Sequence, residues 1–379
     1  MKKRFYTGLL FLLGMSALLS ACGRYSGKQT RTNNHSAESQ ESVTEEGDVV
    51  REEIGAESRE ANTALAPDSE IIELEPGLSM VRYEGDYKFD TFLEQGGAVS
   101  DGDVAAYLTI LLAQEVHMEG TPFGCSTLSV KSSEGGYLFG RNFDWNTCNA
   151  LIVSARPENG YASVSTVNTD FIRAGGLELS GLPDQLQAFV SLYAPLDGMN
   201  EKGLAVSVNM IQDSTAINQD TGKPDLTTTT AIRLVLDKAA DVDEALELLR
   251  QYDFHSSLGM MVHLALADAD GRSIAVEYVD NEMTVTETPV VTNFYLTPGE
   301  KQGIGTAQSH TRYEILVGML EEYSEMTETE VRDALDSVSK DNFGEFESTE
   351  WSIVMNQATK ELIYYHRENY ETAYVVSVE

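Results

Sequence analysis

The order in which strand and helix patterns follow one another is the feature that most limits the fold of this chain. Short β-branched and alternating apolar segments, which are typical of strands, come in a run between residues 126 and 209. Helical patterns, a hairpin, further helical patterns and two final strands follow. Because the strands come in runs and do not alternate singly with helices, the order predicts an α+β domain built in layers, not from βαβ units.

We expect ordered structure to begin near Ile71. The predicted strands are Thr127–Val130, Tyr137–Arg141, Leu151–Ala155, Ala162–Val167, Ala188–Tyr193, Leu204–Asn209, Val262–Ala267, Ser273–Val279, Trp351–Asn356 and Glu361–His366. The predicted helices are Asp103–His117, Thr229–Ala239, Val242–Tyr252, Thr311–Tyr323 and Thr327–Val338.

The N-terminus has the layout of a secretory signal. Three basic residues, 2–4, precede an apolar run from Phe5 to Leu19. The run ends in Leu19-Ser-Ala-Cys22, which resembles a bacterial lipobox, where the cysteine is lipidated, for example with palmitate, and becomes residue one of the mature chain. We expect a signal peptide at 1–21 and a lipid anchor at Cys22 on the extracytoplasmic face of a bacterial cell membrane. The alternatives are a plain secretory signal or a transmembrane anchor with an incidental cysteine.

Residues 22–70 are predicted to be an acidic, disordered linker. No aromatic residue occurs between Ser26 and Glu60, so this segment cannot bury enough apolar area to offset the entropy of ordering. A self-repelling spacer is the favoured interpretation, and an acidic interaction tail is the alternative. The whole chain has 61 acidic and 26 basic residues, a net charge of −35. A polyanion is repelled by phosphates, so nucleic-acid binding is excluded.

Common catalytic motifs are absent from the sequence. There is no Gly-x-Ser-x-Gly elbow, no His-Glu-x-x-His and no Walker-type loop, and Gly303-Ile-Gly305 lacks the third glycine of a dinucleotide site. The six histidines are scattered, and the three cysteines form no CxxC pair. We therefore predict no metal site and no cofactor.

One hairpin brings reactive residue types together. Cys125 immediately precedes the first strand, and Arg141 and Asp144 fall at the end of the second, so an antiparallel hairpin places them near the cysteine. A cation beside a thiol favours the reactive thiolate, and an aspartate can hold an ammonium group. The structural alternatives are a disulfide between Cys125 and Cys148 and an ordinary ion pair between Arg141 and Asp144.

These residues resemble the choloylglycine hydrolase family, which includes bile salt hydrolases and penicillin V acylases. The resemblance lies in Cys125 followed by Ser-Thr and in Phe139-Gly-Arg-Asn-Phe-Asp-Trp145. It implies a four-layer αββα sandwich of the N-terminal nucleophile hydrolase type. It also implies hydrolysis of a linear carbon–nitrogen amide in a small-molecule substrate by a cysteine that is the first residue of the mature catalytic fragment.

Three downstream segments extend the resemblance over most of residues 125–379. The segment ending in Asn209 is similar to that of the family's oxyanion-hole asparagine, the segment ending in Asn293 to that of a second asparagine, and Ser309-His-Thr-Arg312 to that of the active-site arginine. The resemblance implies that Asn209 donates to the oxyanion, and that Arg141 and Arg312 lower the thiol pKa and position the substrate. Either asparagine could instead be a turn or strand-end residue.

The long segment before Cys125 departs from bile salt hydrolases and looks like the branch of the family that cuts itself. We expect self-cleavage between Gly124 and Cys125, which makes residues 71–124 a pro-segment and residues 125–379 the catalytic domain. The new α-amino group of Cys125 would serve as the base for its own thiol, with Asp144 orienting that amine. An acyltransferase with the same acyl-enzyme, and a catalytically inactive binding lipoprotein, are the alternative functions.

Overall fold

The computed structural model describes residues 51–53, 69–112, 124–174, 179–340 and 347–379. The chain separates into two units, 1–47 and 48–379, and every described residue belongs to the second. The predicted signal peptide, Cys22 and most of the predicted linker lie outside the described residues. None of the helices in these ranges is long and apolar enough to cross a membrane.

The described residues form two large sheets, a two-stranded ribbon and eight α-helices. The strands are β1 (Arg51–Glu53), β2 (Ile72–Glu75), β3 (Leu78–Glu84), β4 (Gly124–Ser132), β5 (Tyr137–Trp145), β6 (Ala150–Arg156), β7 (Ser163–Asn168), β8 (Asp197–Asn200), β9 (Ala205–Met210), β10 (Asp225–Thr227), β11 (Asp253–His255), β12 (Val262–Ala267), β13 (Ser273–Val279), β14 (Glu282–Glu287), β15 (Val290–Val291), β16 (Glu325–Met326), β17 (Ser348–Asn356), β18 (Glu361–His366) and β19 (Ala373–Ser377). The helices are α1 (Phe89–Glu94), α2 (Asp101–Leu112), α3 (Thr169–Ala174), α4 (Asp184–Ser191), α5 (Thr228–Lys238), α6 (Val242–Leu249), α7 (Ala307–Glu322) and α8 (Glu328–Asp336).

The first sheet, sheet A, is built around the β4–β5 hairpin. Its strand order is β1-β19-β18-β17-β5-β4-β15, and β16 pairs with β4. The central strands are antiparallel, whereas β1 and β16 join in parallel. Strand β5 therefore lies between β4 and β17, although β17 comes about two hundred residues later in the chain. The short strand β1 lies within the predicted linker and pairs with β19.

The second sheet, sheet B, combines the predicted pro-segment with the catalytic region. Its order is β14-β13-β12-β9-β8-β7-β6-β3-β2. Strand β3 runs parallel to β6 over seven residue pairs, from Leu78 opposite Ala150 to Glu84 opposite Arg156. All the other neighbours in this sheet are antiparallel. The pro-segment thus supplies two strands of the sheet.

The two sheets pack face to face with helices outside each of them. On the outer side of sheet A, Leu316 of α7 and Val331 of α8 share one apolar cluster with Leu128 of β4. On the outer side of sheet B, α5 packs on β8 and β9. The buried side chains of α5 belong to the same apolar cluster as the core between the sheets. The stacking of helices, sheet A, sheet B and helices is the predicted four-layer αββα sandwich, and this prediction is confirmed.

Most predicted elements have a counterpart in the structure. The hairpin strands β12 and β13, and β18, have the predicted bounds, and α5 and α8 differ from prediction by one or two residues at each end. Helix α7 begins four residues before Thr311, because Thr306 caps it by accepting a hydrogen bond from the Ser309 backbone N–H. Helix α2 begins at Asp101, and residues 113–123, which include the predicted end at His117, lie outside the described residues.

The predicted strand at Ala188–Tyr193 is wrong. That segment belongs largely to α4, which starts at Asp184 after Pro183 and buries Ala188 and Val190. Proline before a first-turn acid is a helix-start signal, and a short apolar run cannot by itself distinguish a strand from a buried helix. The Asp184 carboxylate also accepts a hydrogen bond of 2.8 Å from the Ile71 backbone N–H, which fixes the start of the helix against the pro-segment.

Candidate active site

Alternation along the β4–β5 hairpin divides the candidate site between two faces of sheet A. Cys125 pairs with Phe143, and Gly124 pairs with Asp144. Successive side chains in a strand point to opposite faces. Cys125 and Arg141 therefore lie between the two sheets, where Arg141 reaches β8 and β9. Asp144 lies on the other face, towards α7.

The Cys125 thiol is fully buried beside a guanidinium. Burial raises the pKa of the thiol to about 11, while the charge and hydrogen bond of Arg141 oppose this rise and the charge of Asp144 adds to it. In the intact chain the thiol is therefore protonated at neutral pH. The sequence predicts that a neighbouring cation favours thiolate, and the structure adds a larger opposing cost of desolvation.

Arg141 links the cysteine to sheet B. Its Nε donates to Asp197 Oδ2 at 3.2 Å, and its Nη1 donates to Asn209 Oδ1 at 3.0 Å. Asn209 Oδ1 also accepts from Ser207 Oγ at 3.0 Å, and Asn209 Nδ2 donates to the Val291 carbonyl at 3.2 Å. These contacts fix the amide orientation, because only an oxygen can accept from the guanidinium and the hydroxyl. Asn209 therefore lies beside Arg141 with its amide oxygen towards the guanidinium and its Nδ2 group directed to the Val291 carbonyl.

A second network joins the Cys125 backbone to α7. Asn293 Oδ1 accepts from the Cys125 backbone N–H at 2.8 Å and from Arg312 Nη2 at 2.7 Å. Arg312 Nη1 donates to Asp144 Oδ2 at 2.7 Å and to Ser126 Oγ at 2.7 Å. Arg312 therefore contacts Asn293 and Asp144, and Arg141 is the guanidinium that acts on the thiol.

The Asp144 carboxylate is surrounded by donors. Besides Arg312, Thr349 Oγ1 donates to its Oδ1 at 2.8 Å, and Lys340 Nζ lies 3.7 Å from its Oδ2. All of these side chains are nearly or fully buried. Arg312 and Lys340 thus form two ion pairs with the same carboxylate.

A buried histidine and glutamate hold the segment that carries Asn293. His263 Nε2 lies 2.7 Å from the Thr292 carbonyl, and His263 Nδ1 lies 3.0 Å from Glu277 Oε1. The Thr292 carbonyl can only accept, so Nε2 donates to it. Burial alone would raise the pKa of Glu277, but hydrogen bonds, first from His263 and then from Thr297 and Leu296, lower it to about 2. The backbone on both sides of Asn293 is therefore fixed.

The structure brings together all six residues that the resemblance assigns to catalysis, and Gly124 with them. Sequence reasoning missed five residues that support them: Asp197, His263, Glu277, Lys340 and Thr349. The alternation of β12 and β13 puts His263 and Glu277 on one face of neighbouring strands, which is a signal that could have found them. Lys340 and Thr349 carry no such signal, because they reach the site only through the pairing of β17 with β5.

The second cysteine and a possible metal site are the two remaining features of this region. Cys125 and Cys148 are both buried and unpaired, so the disulfide alternative is wrong. The Cys148 backbone N–H donates to Glu350, and burial, reinforced by the Glu350 charge, raises the pKa of its thiol. In the part of the chain that the structure describes, no group of three or more His, Cys, Asp or Glu side chains is placed to hold a metal ion.

The four-layer αββα sandwich is the fold of the N-terminal nucleophile hydrolases, and Cys125 lies near the start of its strand β4. Comparison with solved structures agrees. A conjugated bile acid hydrolase from Clostridium perfringens matches 67% of this chain and 92% of its own with a TM-score of 0.51 at 18% identity. A second variant of that protein matches the same shares with a TM-score of 0.50 at 16% identity. Identities this low show the fold alone.

Sequence comparison is more specific. The model of the linear amide C–N hydrolases, choloylglycine hydrolase family, matches residues 125–295. Residues 125–295 are therefore similar to the choloylglycine hydrolase family, which confirms the resemblance predicted from the motifs. A penicillin V acylase from Pectobacterium atrosepticum is 33% identical over 99 residues, which is 24% of this chain. The match spans about a quarter, 26%, of that relative's length.

Proposed function

We propose that this protein hydrolyses a linear carbon–nitrogen amide bond with Cys125, after cutting its own chain between Gly124 and Cys125. The observation that carries the proposal is the pair of networks that meet at Cys125. Arg141 and Asn209 lie on the thiol side, and Asn293, Arg312 and Asp144 lie on the backbone side. The family match supports the class of bond that is cut.

Self-cleavage proceeds by acyl transfer from nitrogen to sulfur. The Cys125 Sγ attacks the carbonyl carbon of Gly124, a carbon–sulfur bond forms, and the carbon–nitrogen bond breaks as the thiol proton passes to the nitrogen. Water then hydrolyses the thioester, which leaves a Gly124 carboxylate, a free thiol and a new α-amino group. This sequence needs no histidine, no metal and no oxidant.

Turnover of a substrate uses the same atoms. The α-amino group accepts the thiol proton, and Arg141 stabilises the thiolate that attacks the amide carbon. The Nδ2 group of Asn209 donates to the oxyanion of the tetrahedral intermediate, a type of contact worth about 2.7–4 kcal/mol. The amine leaves with a proton, and water releases the acyl group from sulfur. Bile acid conjugates, phenoxyacetyl amides and fatty-acyl amides are the substrate types to test.

Intact-mass analysis of the purified protein tests the proposal. The wild-type chain is expected to split into two fragments at Cys125, and Cys125→Ala to stay whole and release no amine from any substrate of the panel. Cys148→Ala is the matched control, since that cysteine is also buried and unpaired, and it is expected to split and to hydrolyse normally. An unsplit, inert wild-type chain would refute the proposal.

A lipid anchor at Cys22 is the second part of the proposal. It rests on the basic residues 2–4, the apolar run and the residues Leu19-Ser-Ala before the cysteine. The anchored chain would lie on the extracytoplasmic face of the membrane, with residues 22–70 as the spacer before the catalytic domain.

A further inference from the structure

Lys340 is a buried lysine that the mechanism above does not use. Its side chain is only 5% exposed, which is rare for lysine unless the ammonium is paired. The ammonium forms ion pairs with Glu347 and, at 3.7 Å, with Asp144 Oδ2. Its backbone is fixed as well, because Lys340 N donates to Thr349 Oγ1 at 2.8 Å and the Thr349 N–H donates to the Lys340 carbonyl at 2.9 Å.

The ammonium lies beside Gly124, the residue that precedes the bond that we propose is cut. A methyl group added to the Cα of Gly124 would lie 2.9 Å from Lys340 Nζ and 3.4 Å from Asp144 Oδ2. A side chain at position 124 would therefore have to displace a charged group that is held by two carboxylates. Glycine at this position leaves room for the ammonium beside the residue that carries the scissile carbonyl.

The two charges on Gly124 have opposite effects on the first step of cleavage. When sulfur attacks, negative charge develops on the Gly124 carbonyl oxygen. The nearby Asp144 carboxylate disfavours this charge, and a nearby positive charge favours it, more strongly in a buried site than in water. Arg312 donates to Asp144 Oδ2, whereas Lys340 Nζ is the atom nearest to a methyl group built on Gly124. Lys340 is therefore the cation placed next to Gly124.

We propose that Lys340 promotes self-cleavage by stabilising the tetrahedral intermediate formed at Gly124. The inference rests on the self-cleavage proposed above and adds a residue to it. The balance of atoms is unchanged: Lys340 keeps its proton, the carbon–sulfur bond forms, the carbon–nitrogen bond breaks, and the thiol proton passes to the leaving amine. Lys340 acts before the thioester exists.

The test is a time course of chain splitting in the full-length protein, followed by intact mass. We expect Lys340→Met and Lys340→Gln to slow splitting by about tenfold or more, and Lys340→Arg to keep a larger part of the rate because it keeps the charge. Lys131→Met is the matched control. Lys131 lies near the far end of β4, the strand that begins at Gly124. It is exposed and pairs with Glu325, so its loss should leave the rate unchanged.

A second reagent identifies the step on which Lys340 acts. Hydroxylamine cleaves thioesters, so it would restore splitting if a variant were slow only in hydrolysing the thioester. We expect no such rescue for Lys340→Gln. Full rescue by hydroxylamine, or splitting of both uncharged variants at the wild-type rate, would overturn the inference while leaving self-cleavage intact. If Lys340→Met does not fold, Lys340→Gln decides. A wild-type chain that never splits would refute the self-cleavage proposal itself.

Discussion

At the scale of single residues, the Cys125 thiol is under two opposing influences. Complete burial raises the pKa of the thiol to about 11, and Arg141 opposes the rise. Burial therefore keeps the thiol in its less reactive form in the intact chain, and the cation limits the energy needed to ionise it. The proposed cleavage would supply a base, the new α-amino group, at the same residue.

The rate of self-cleavage is therefore expected to depend on pH. Thiolate is the attacking form, and its fraction rises about tenfold per pH unit below the thiol pKa. Splitting of the wild-type chain should accelerate from pH 7 towards pH 10, and approach a plateau near the pKa of about 11. Splitting measured by denaturing gel at a series of pH values checks this. A rate that is flat from pH 7 to 10 would show that thiol ionisation does not control the step.

At the scale of elements, the predicted pro-segment folds together with the residues that follow Cys125. Strand β3 pairs with β6 along its whole length, and Tyr193 Oη donates to the Tyr87 carbonyl at 2.8 Å. Phe89 and Phe92 of α1 are buried in the main core. Burying side chains of this size contributes roughly 1.5–3 kcal/mol each. The proposed cut at Gly124 would break one covalent bond and none of these contacts.

We accordingly expect the two fragments to stay associated after cleavage. They should elute together in native size-exclusion chromatography and separate only under denaturing conditions. Phe92→Ala, which removes a core ring, should weaken the association, whereas Ile110→Ala changes an exposed residue of α2 and should not. Elution of the wild-type fragments at two separate positions would contradict the expectation.

Local sequence patterns predict the elements well where their ends are marked by residue chemistry. The hairpin of β12 and β13 is bounded by Asp268 and Gly271, whose turn chemistry is visible in the sequence. Helix α4 was not predictable from periodicity alone, because its apolar run is too short. The placement of β5 between β4 and β17 could not be read from the sequence either, since it depends on a contact between distant segments. Lys340 reaches Gly124 only through that contact.

At the scale of the whole molecule, the proposed anchor and spacer determine where the enzyme acts. The predicted linker, residues 22–70, has 11 acidic and 5 basic residues, a net charge of −6. A self-repelling linker extends, so it would hold the catalytic domain away from an anionic membrane surface. The substrate would then be met outside the cell, near the membrane.

Fractionation of producing cells checks this localisation. Wild-type protein is expected in the membrane fraction and to incorporate a labelled fatty acid, whereas Cys22→Ala is expected to lose the label. Cys125→Ala serves as a control that should keep it. A wild-type chain that stays in the membrane without any fatty acid would indicate the transmembrane-anchor alternative.

The shared oxygen of Asn293 has a consequence for the new α-amino group. In the intact chain this oxygen accepts from the neutral Cys125 amide and from the Arg312 guanidinium. After cleavage the same nitrogen becomes an amine, and its protonated form would carry a second positive charge to the oxygen that the guanidinium already occupies. Repulsion between like charges disfavours that protonated form. The charge of Arg312, held on the oxygen that the amine would share, would thus favour the unprotonated amine, which is the form that can accept a proton from the thiol.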